Sequence, residues 1–165
     1  MSRAFVKEGD GDDDLPELPL SPHPNYTTLA GREAQAARLA LAQRSLAAAL
    51  ADQAAGRVAA DGRSVAHWQR EIRWLEARLA AAIVVPASSG PPERVAFGVL
   101  VHLEDALGRR FRYRIVGEDE ADIAQGKLAW VSPLARALLG AGVDDEVPWP
   151  RPEGDLSVTI LAIDR

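Results

Sequence analysis

Between residues 65 and 82 apolar side chains return at alternating steps of three and four. Val65, Trp68, Ile72, Leu75, Leu79 and Ala82 therefore share one seam of a helix, while Arg63, Arg70, Arg73, Glu76 and Arg78 occupy its other faces. An earlier stretch repeats the spacing more weakly at Ala36, Leu39, Gln43, Leu46, Leu50 and Gln53. Most of its remaining positions are alanine, the residue that costs least in a helix. Between the two seams, Gly56 is placed to end the first helix, Asp61-Gly62 to turn the chain and Ser64 to cap the second helix. So short a link predicts an antiparallel helical hairpin over residues 27–85, with its glutamines toward an exposed tip.

The period changes from helical to two after Pro86-Ala-Ser-Ser-Gly-Pro-Pro92, which makes residues 86–93 a linker and 94–165 a separate domain. Val95, Phe97, Val99, Val101 and Leu103 alternate in a strand predicted over 94–104, and Asp105 to Gly108 turns into a second strand over 109–116. That strand sets Phe111, Tyr113 and Ile115 against Arg110, Arg112 and Arg114. Shorter extended segments follow at Leu128–Val131, Glu146–Trp149 and Leu156–Ile163. The one helix among them, Ser132-Pro-Leu-Ala-Arg-Ala-Leu-Leu-Gly140, has a serine cap, proline in its first turn and glycine after its last. The reading is α+β: an N-terminal antiparallel coiled-coil hairpin, then a small antiparallel sheet packed on one helix. Residues 1–26 combine an acidic run with repeated proline and read as an extended, flexible arm.

The net charge of -5 and the pI near 5.2 argue against simple nonspecific binding of nucleic acid. The average conceals a pattern. Residues 1–26 hold two basic and six acidic side chains, residues 27–85 eight and five, and residues 94–165 nine and twelve. A mildly basic rod thus carries an acidic globular end. With no cysteine, disulfides and thiolate metal sites are excluded. No apolar run reaches membrane-spanning length and no signal-peptide pattern opens the chain, so the expected location is the cytoplasm. The spacing of Asp10, Asp12 and Asp14 invites a calcium-loop reading, which fails because Leu15 stands where glycine is needed and Ser21 where a bidentate glutamate is needed. His23, His67 and His102 have no companions at metal spacing. The loop Gly117-Glu-Asp-Glu-Ala-Asp122 lacks a second ligand-bearing segment and reads as a solvated acidic loop.

The sequence Val116-Gly-Glu-Asp-Glu-Ala-Asp122 followed by Ser132-Pro-Leu-Ala-Arg-Ala-Leu-Leu-Gly140, after a helical hairpin and a Pro/Gly linker, resembles the GreA/GreB family of bacterial transcript-cleavage factors. The resemblance covers roughly residues 26–165. It implies a coiled coil that enters the secondary channel of RNA polymerase and an FKBP-like domain that docks at the channel rim. It also makes Ser132 and Pro133 candidate polymerase contacts, beside their roles as cap and first helical residue. No cofactor of the chain's own is implied, and the chain reads as a monomeric regulator of RNA polymerase, not an enzyme.

The tip departs from the family pattern. Cleavage-competent members present an acidic pair there, suited to holding a second magnesium ion at the polymerase active site. Here Gln53-Ala-Ala-Gly-Arg-Val-Ala-Ala-Asp61-Gly-Arg63 leaves only Asp52 and Asp61, nine residues apart, with Arg57 and Arg63 as neighbours. The first arm spans about 40 Å at 1.5 Å per residue, short for reaching a catalytic centre. The expectation is a factor that binds the polymerase without stimulating cleavage, its tip arginines drawn to the active centre or to nascent RNA. Alternatives are an active cleavage factor using Asp52 or Asp61, a regulator of nucleoside diphosphate kinase type, and an FKBP-type prolyl isomerase.

Overall fold

The computed structural model describes residues 15–87 and 89–165, so the acidic run containing Asp10, Asp12 and Asp14 lies outside the described residues. The chain divides into two compact units. Residues 15–20 with Gln35–Ala80 make the first, and Ser21–Ala34 with Ala81–Arg165 make the second.

The first unit is a helical hairpin, built from the part of α1 (Leu29–Ala54) that begins at Gln35 and from α2 (Val65–Ala80). Its core joins Ala42, Ala49, Trp68 and Leu75, with Leu39, Leu46, Val65 and Ile72 packed half-buried around them. Full burial of a leucine such as Leu75 contributes about 2 kcal/mol. The seam expected for α1 is corrected in part. Ala36, Gln43, Leu50 and Gln53 are exposed, and the inward line runs through Gln35, Leu39, Ala42, Leu46 and Ala49. An alanine-rich helix offers several nearly equivalent faces, and the bulk of Trp68 selects the face with alanines where it needs space. Across the hairpin, the Arg38 guanidinium meets the Glu71 carboxylate at 2.6 Å. At the turn, Gly56 and Gly62 both take φ of +68°, as the glycines there required. Ser64 Oγ accepts the His67 N–H at 3.1 Å and caps α2.

The second unit holds a five-stranded sheet in the order β5-β4-β3-β7-β6. Its strands are β3 (Leu100–Asp105), β4 (Arg110–Val116), β5 (Lys127–Ala129), β6 (Glu146–Trp149) and β7 (Leu156–Asp164). The sheet is mixed, which amends the antiparallel expectation: β4 and β5 run parallel, and the other pairs antiparallel. Two 3-10 turns at Glu118–Glu120 and Ile123–Gln125 carry the chain between β4 and β5, so that β5 re-enters in the same direction. A further two-residue parallel ladder pairs β1 (Tyr26–Thr27) with β2 (Ile83–Val84). It brings the start of α1 beside the segment that follows α2.

The helix α3 (Pro133–Leu138) buries Leu134, Ala135 and Leu138 in a core with Val101, Leu103, Ile115, Val158 and Ile160. The strand expected over 94–104 begins only at Leu100. Val95 and Val99 are buried as their alternation predicts, but Gly98 turns with φ +88° and Val95 exchanges backbone bonds with Gly140 and Ala141 beyond α3. The apolar period thus marked burial, while the glycine decided where the ladder could start. Among the described residues, no helix is long and apolar enough to cross a membrane.

Candidate functional site

Two places carry the residues singled out from the sequence: the turn of the hairpin in the first unit, and the start of α3 in the second.

At the turn, α1 ends at Ala54 and the chain folds back so that Arg57 N–H reaches the Asp52 carbonyl at 2.8 Å. The same arginine donates from Nε and Nη2 to Asp52 Oδ1, at 3.0 and 2.7 Å. Asp61 Oδ1 accepts the Arg63 N–H at 2.9 Å and so closes a tight polar turn ahead of Ser64. The Arg63 guanidinium lies 4.9 Å from the centre of the Trp68 ring, a cation–π distance. Each aspartate is therefore engaged by the backbone or side chain of its own turn. Arg57, Arg63, Gln53 and Val65 help line an open recess of about 460 Å³ on the inner side of the turn. Its polar character is cationic and amide rather than acidic. Among the described residues, no group of three or more His, Asp or Glu side chains is arranged to hold a metal ion.

At the second place, Ser132 takes extended backbone angles and its Oγ accepts the Ala135 N–H at 3.2 Å, while Pro133 occupies the first turn of α3. Ser132 is half-buried and Pro133 exposed. Leu134 and Ala135 anchor the helix from below, so the Ser-Pro pair is presented on a rigid support. Directly before it, Trp130 forms an aromatic cluster that the sequence reading did not assemble. Tyr26 meets Trp130 edge-on at 5.1 Å, His23 meets it at 6.1 Å, and Tyr26 also contacts Phe97 at 6.3 Å. These four rings come from three segments far apart in sequence, and no local period links them. The buried Trp130 indole N–H has no acceptor among the described residues.

The acidic loop behaves differently from the solvated loop expected. Glu120 Oε1 accepts the Thr28 N–H at 2.8 Å, the Thr27 hydroxyl at 2.9 Å and the Gly117 N–H at 3.3 Å, while Oε2 accepts the Thr28 hydroxyl at 2.5 Å. Thr28 Oγ1 in turn accepts the Gly31 N–H at 2.9 Å and caps α1. A carboxylate from the β4–β5 connection thus sits at the positive end of α1 and satisfies the Thr28 N–H, which the helix leaves unpaired. Gly31 and Gly117 make room for it. A Cβ at Gly31 would stand 1.9 Å from Glu120 Cδ, and one at Gly117 would stand 2.3 Å from the Tyr26 carbonyl oxygen. A second engaged carboxylate of this unit is Asp105, in the β3–β4 turn. Burial works to raise its pKa, but N–H groups of Arg109 and Leu107 and the Arg109 charge outweigh it and hold the carboxyl below its usual range.

The C-terminal part of the chain is similar to known proteins. The family described as "Transcription elongation factor, GreA/GreB, C-term" matches residues 90–165. The chain is 45% identical over 96 residues to transcription elongation factor GreB of Neisseria meningitidis serogroup A, a match covering 58% of this chain and 59% of that protein. It is 38% identical over 96 residues to transcription elongation factor GreA of Nitratidesulfovibrio vulgaris, covering 58% and 60%. The matches thus span about three-fifths of the length of these relatives. Among solved structures, GreA factor homolog 1 of Thermus thermophilus shares 26% identity with a TM-score of 0.41, covering 87% of this chain and 100% of that one. The domain that carries Glu120 and the Ser132-Pro133 helix start thus matches the GreA/GreB family of transcription elongation factors over residues 90–165.

Proposed function

We propose that the protein binds bacterial RNA polymerase at its secondary channel and modulates transcription without stimulating transcript cleavage. The observation that carries this reading is the chemistry of the hairpin turn. Asp52 is held by Arg57 through two guanidinium bonds, and Asp61 closes its own turn on the Arg63 N–H. A second metal ion at a catalytic centre needs hard oxygen ligands that are free to converge on it. Asp52, paired with the Arg57 guanidinium, and Asp61, committed to a backbone N–H, compete poorly for a dication, and the Arg57 and Arg63 guanidinium groups repel it.

What the turn presents instead are exposed guanidinium groups. Arg57 and Arg63 suit an acidic, metal-binding centre or the phosphates of nascent RNA, by charge-assisted hydrogen bonding. In this reading Ser132 and Pro133 supply the docking contact, being presented at the surface on a helix whose other face is locked in the core.

The test uses core polymerase and a backtracked RNA complex. The wild type is expected to bind, Ser132→Glu to bind at least tenfold more weakly, and neither to release a short 3' RNA fragment. Release of that fragment by the wild type, abolished in Asp52→Ala or Asp61→Ala, would establish an active cleavage factor and refute the noncleaving reading.

A further inference from the structure

The segment before the hairpin, read from sequence as part of a flexible arm, is packed against α2 within the first unit. Arg73 donates from Nε and Nη2 to Glu17 Oε1 at 3.0 and 2.6 Å. The Trp74 indole N–H donates to the Pro19 carbonyl at 3.0 Å, and Arg70 Nη1 to the Pro16 carbonyl at 3.3 Å. Trp74 is itself flanked by the guanidinium groups of Arg38 and Arg78, at 5.6 and 6.0 Å from its ring centre.

Three successive donors along one helix face thus read two main-chain carbonyls and a carboxylate of the segment 15–20. That pattern is how a protein surface recognises a peptide: an aromatic N–H fixes a carbonyl beside a proline, and an arginine fork selects an acid. The occupant fills the face only in part. The Arg70 contact is long, and among the described residues the buried Nε of Arg70 has no acceptor. Arg73 and Glu17 are both more than half exposed, so their ion pair is weak in water. Such a ligand is held mainly because it is tethered, at an effective concentration of about millimolar.

We propose that α2 carries a peptide-recognition face centred on Arg70, Arg73 and Trp74, whose resident occupant is the chain's own segment 15–20. An acidic, proline-containing extended segment of another protein binds there by displacing it. A competitor with an acceptor for the Arg70 Nε gains a charge-assisted bond that residues 15–20 do not make. The inference goes beyond the polymerase reading and does not depend on it.

The test compares four full-length proteins: wild type, Glu17→Arg, Arg73→Glu and the charge-swapped pair. Each is titrated against a fluorescent peptide copying residues 12–22, with anisotropy as the readout. Glu17→Arg places a third guanidinium beside Arg70 and Arg73 and expels the resident segment, so it is expected to bind the peptide at least tenfold more tightly than the wild type. Arg73→Glu and the swapped pair lose the fork that reads the peptide's glutamate and bind it least. In a second readout, the Trp74 indole N–H resonance shifts and loses exchange protection in both single variants and recovers in the swapped pair. Equal affinity of wild type and Glu17→Arg, no peptide binding by Glu17→Arg, or an unmoved Trp74 resonance would overturn the proposal. Tighter binding of single-stranded RNA than of the peptide by Glu17→Arg would overturn the peptide assignment.

Discussion

Adding one methyl group at Gly31 tests the Glu120 clasp, because the sign of its effect depends on another residue. In the wild type, a Cβ at Gly31 would overlap Glu120 Cδ at 1.9 Å. The carboxylate cannot withdraw without giving up its bonds to Thr27, Thr28 and Gly117. Gly31→Ala is therefore expected to cost about 1–3 kcal/mol, the range for overpacking. Glu120→Ala alone removes an anionic acceptor shared by four donors. Each such bond contributes about 1.5–3 kcal/mol, but water replaces part of the network and the terms do not add, so about 2–4 kcal/mol is expected in total. Once Glu120 is alanine, the space above Gly31 is open. Gly31→Ala should then stabilise α1 by about 0.5–1 kcal/mol through helix propensity. Chemical denaturation of the four proteins, followed by far-ultraviolet circular dichroism, gives the cycle. The predicted coupling is at least about 1.5 kcal/mol, with opposite signs in the two backgrounds. A Gly31→Ala effect that keeps its sign and size when Glu120 is removed would refute the clasp and restore the solvated acidic loop.

Trp68→Ala removes the largest side chain in the hairpin core and should cost about 3–5 kcal/mol, visible as lost helical ellipticity at lower denaturant than in the wild type. Asp52→Asn breaks only an exposed pair, with 65% of the Arg57 side chain open to solvent, so the melting temperature should move by no more than the equivalent of about 1 kcal/mol. Asp105 has a folded pKa held below the ordinary 3.8. Its stabilisation is therefore complete above that value and lost as pH falls through the folded one. Melting temperatures from about pH 5 down to about pH 2 should show Asp105→Asn destabilised at the upper end and converging on the wild type at the lower. A constant gap across that window would mean that the charge of Asp105 contributes nothing.

Much of the architecture was legible because its determinants are local. Gly56, Gly62 and Ser64 do at the hairpin turn what their conformational preferences dictate. Ser132 and Pro133 open α3, and the alternation of Val101, Leu103 and Ile115 marks the sheet's buried face. The misread seam of α1 has an equally physical origin. With alanine at so many positions, the frames through Gln43 and through Ala42 differ little in apolar content. The choice is made by Trp68, whose bulk needs small partners. The parallel β4–β5 pair and the two-residue β1–β2 ladder were out of reach, since direction and pairing of such short strands leave no periodic trace.

The same contrast governs the site. That Asp61 is the one carboxylate between Gln53 and Arg63 was readable, because it is a matter of sequence alone. That Arg57 engages Asp52 was not readable, because it depends on how the turn folds back. Glu120 was misjudged for a related reason. A carboxylate in an acidic run looks solvated until the donors that claim it arrive from 92 residues away, at the start of α1. Gly31 and Gly117 were the available clue. Glycine inside the first turn of a helix is costly, and it is retained at low cost only where another group needs the space its side chain would fill. At Gly31 that group is the carboxylate of Glu120, so a residue that weakens α1 locally lets a distant acid cap it, and the helix start is fixed to the sheet's unit by the same contact.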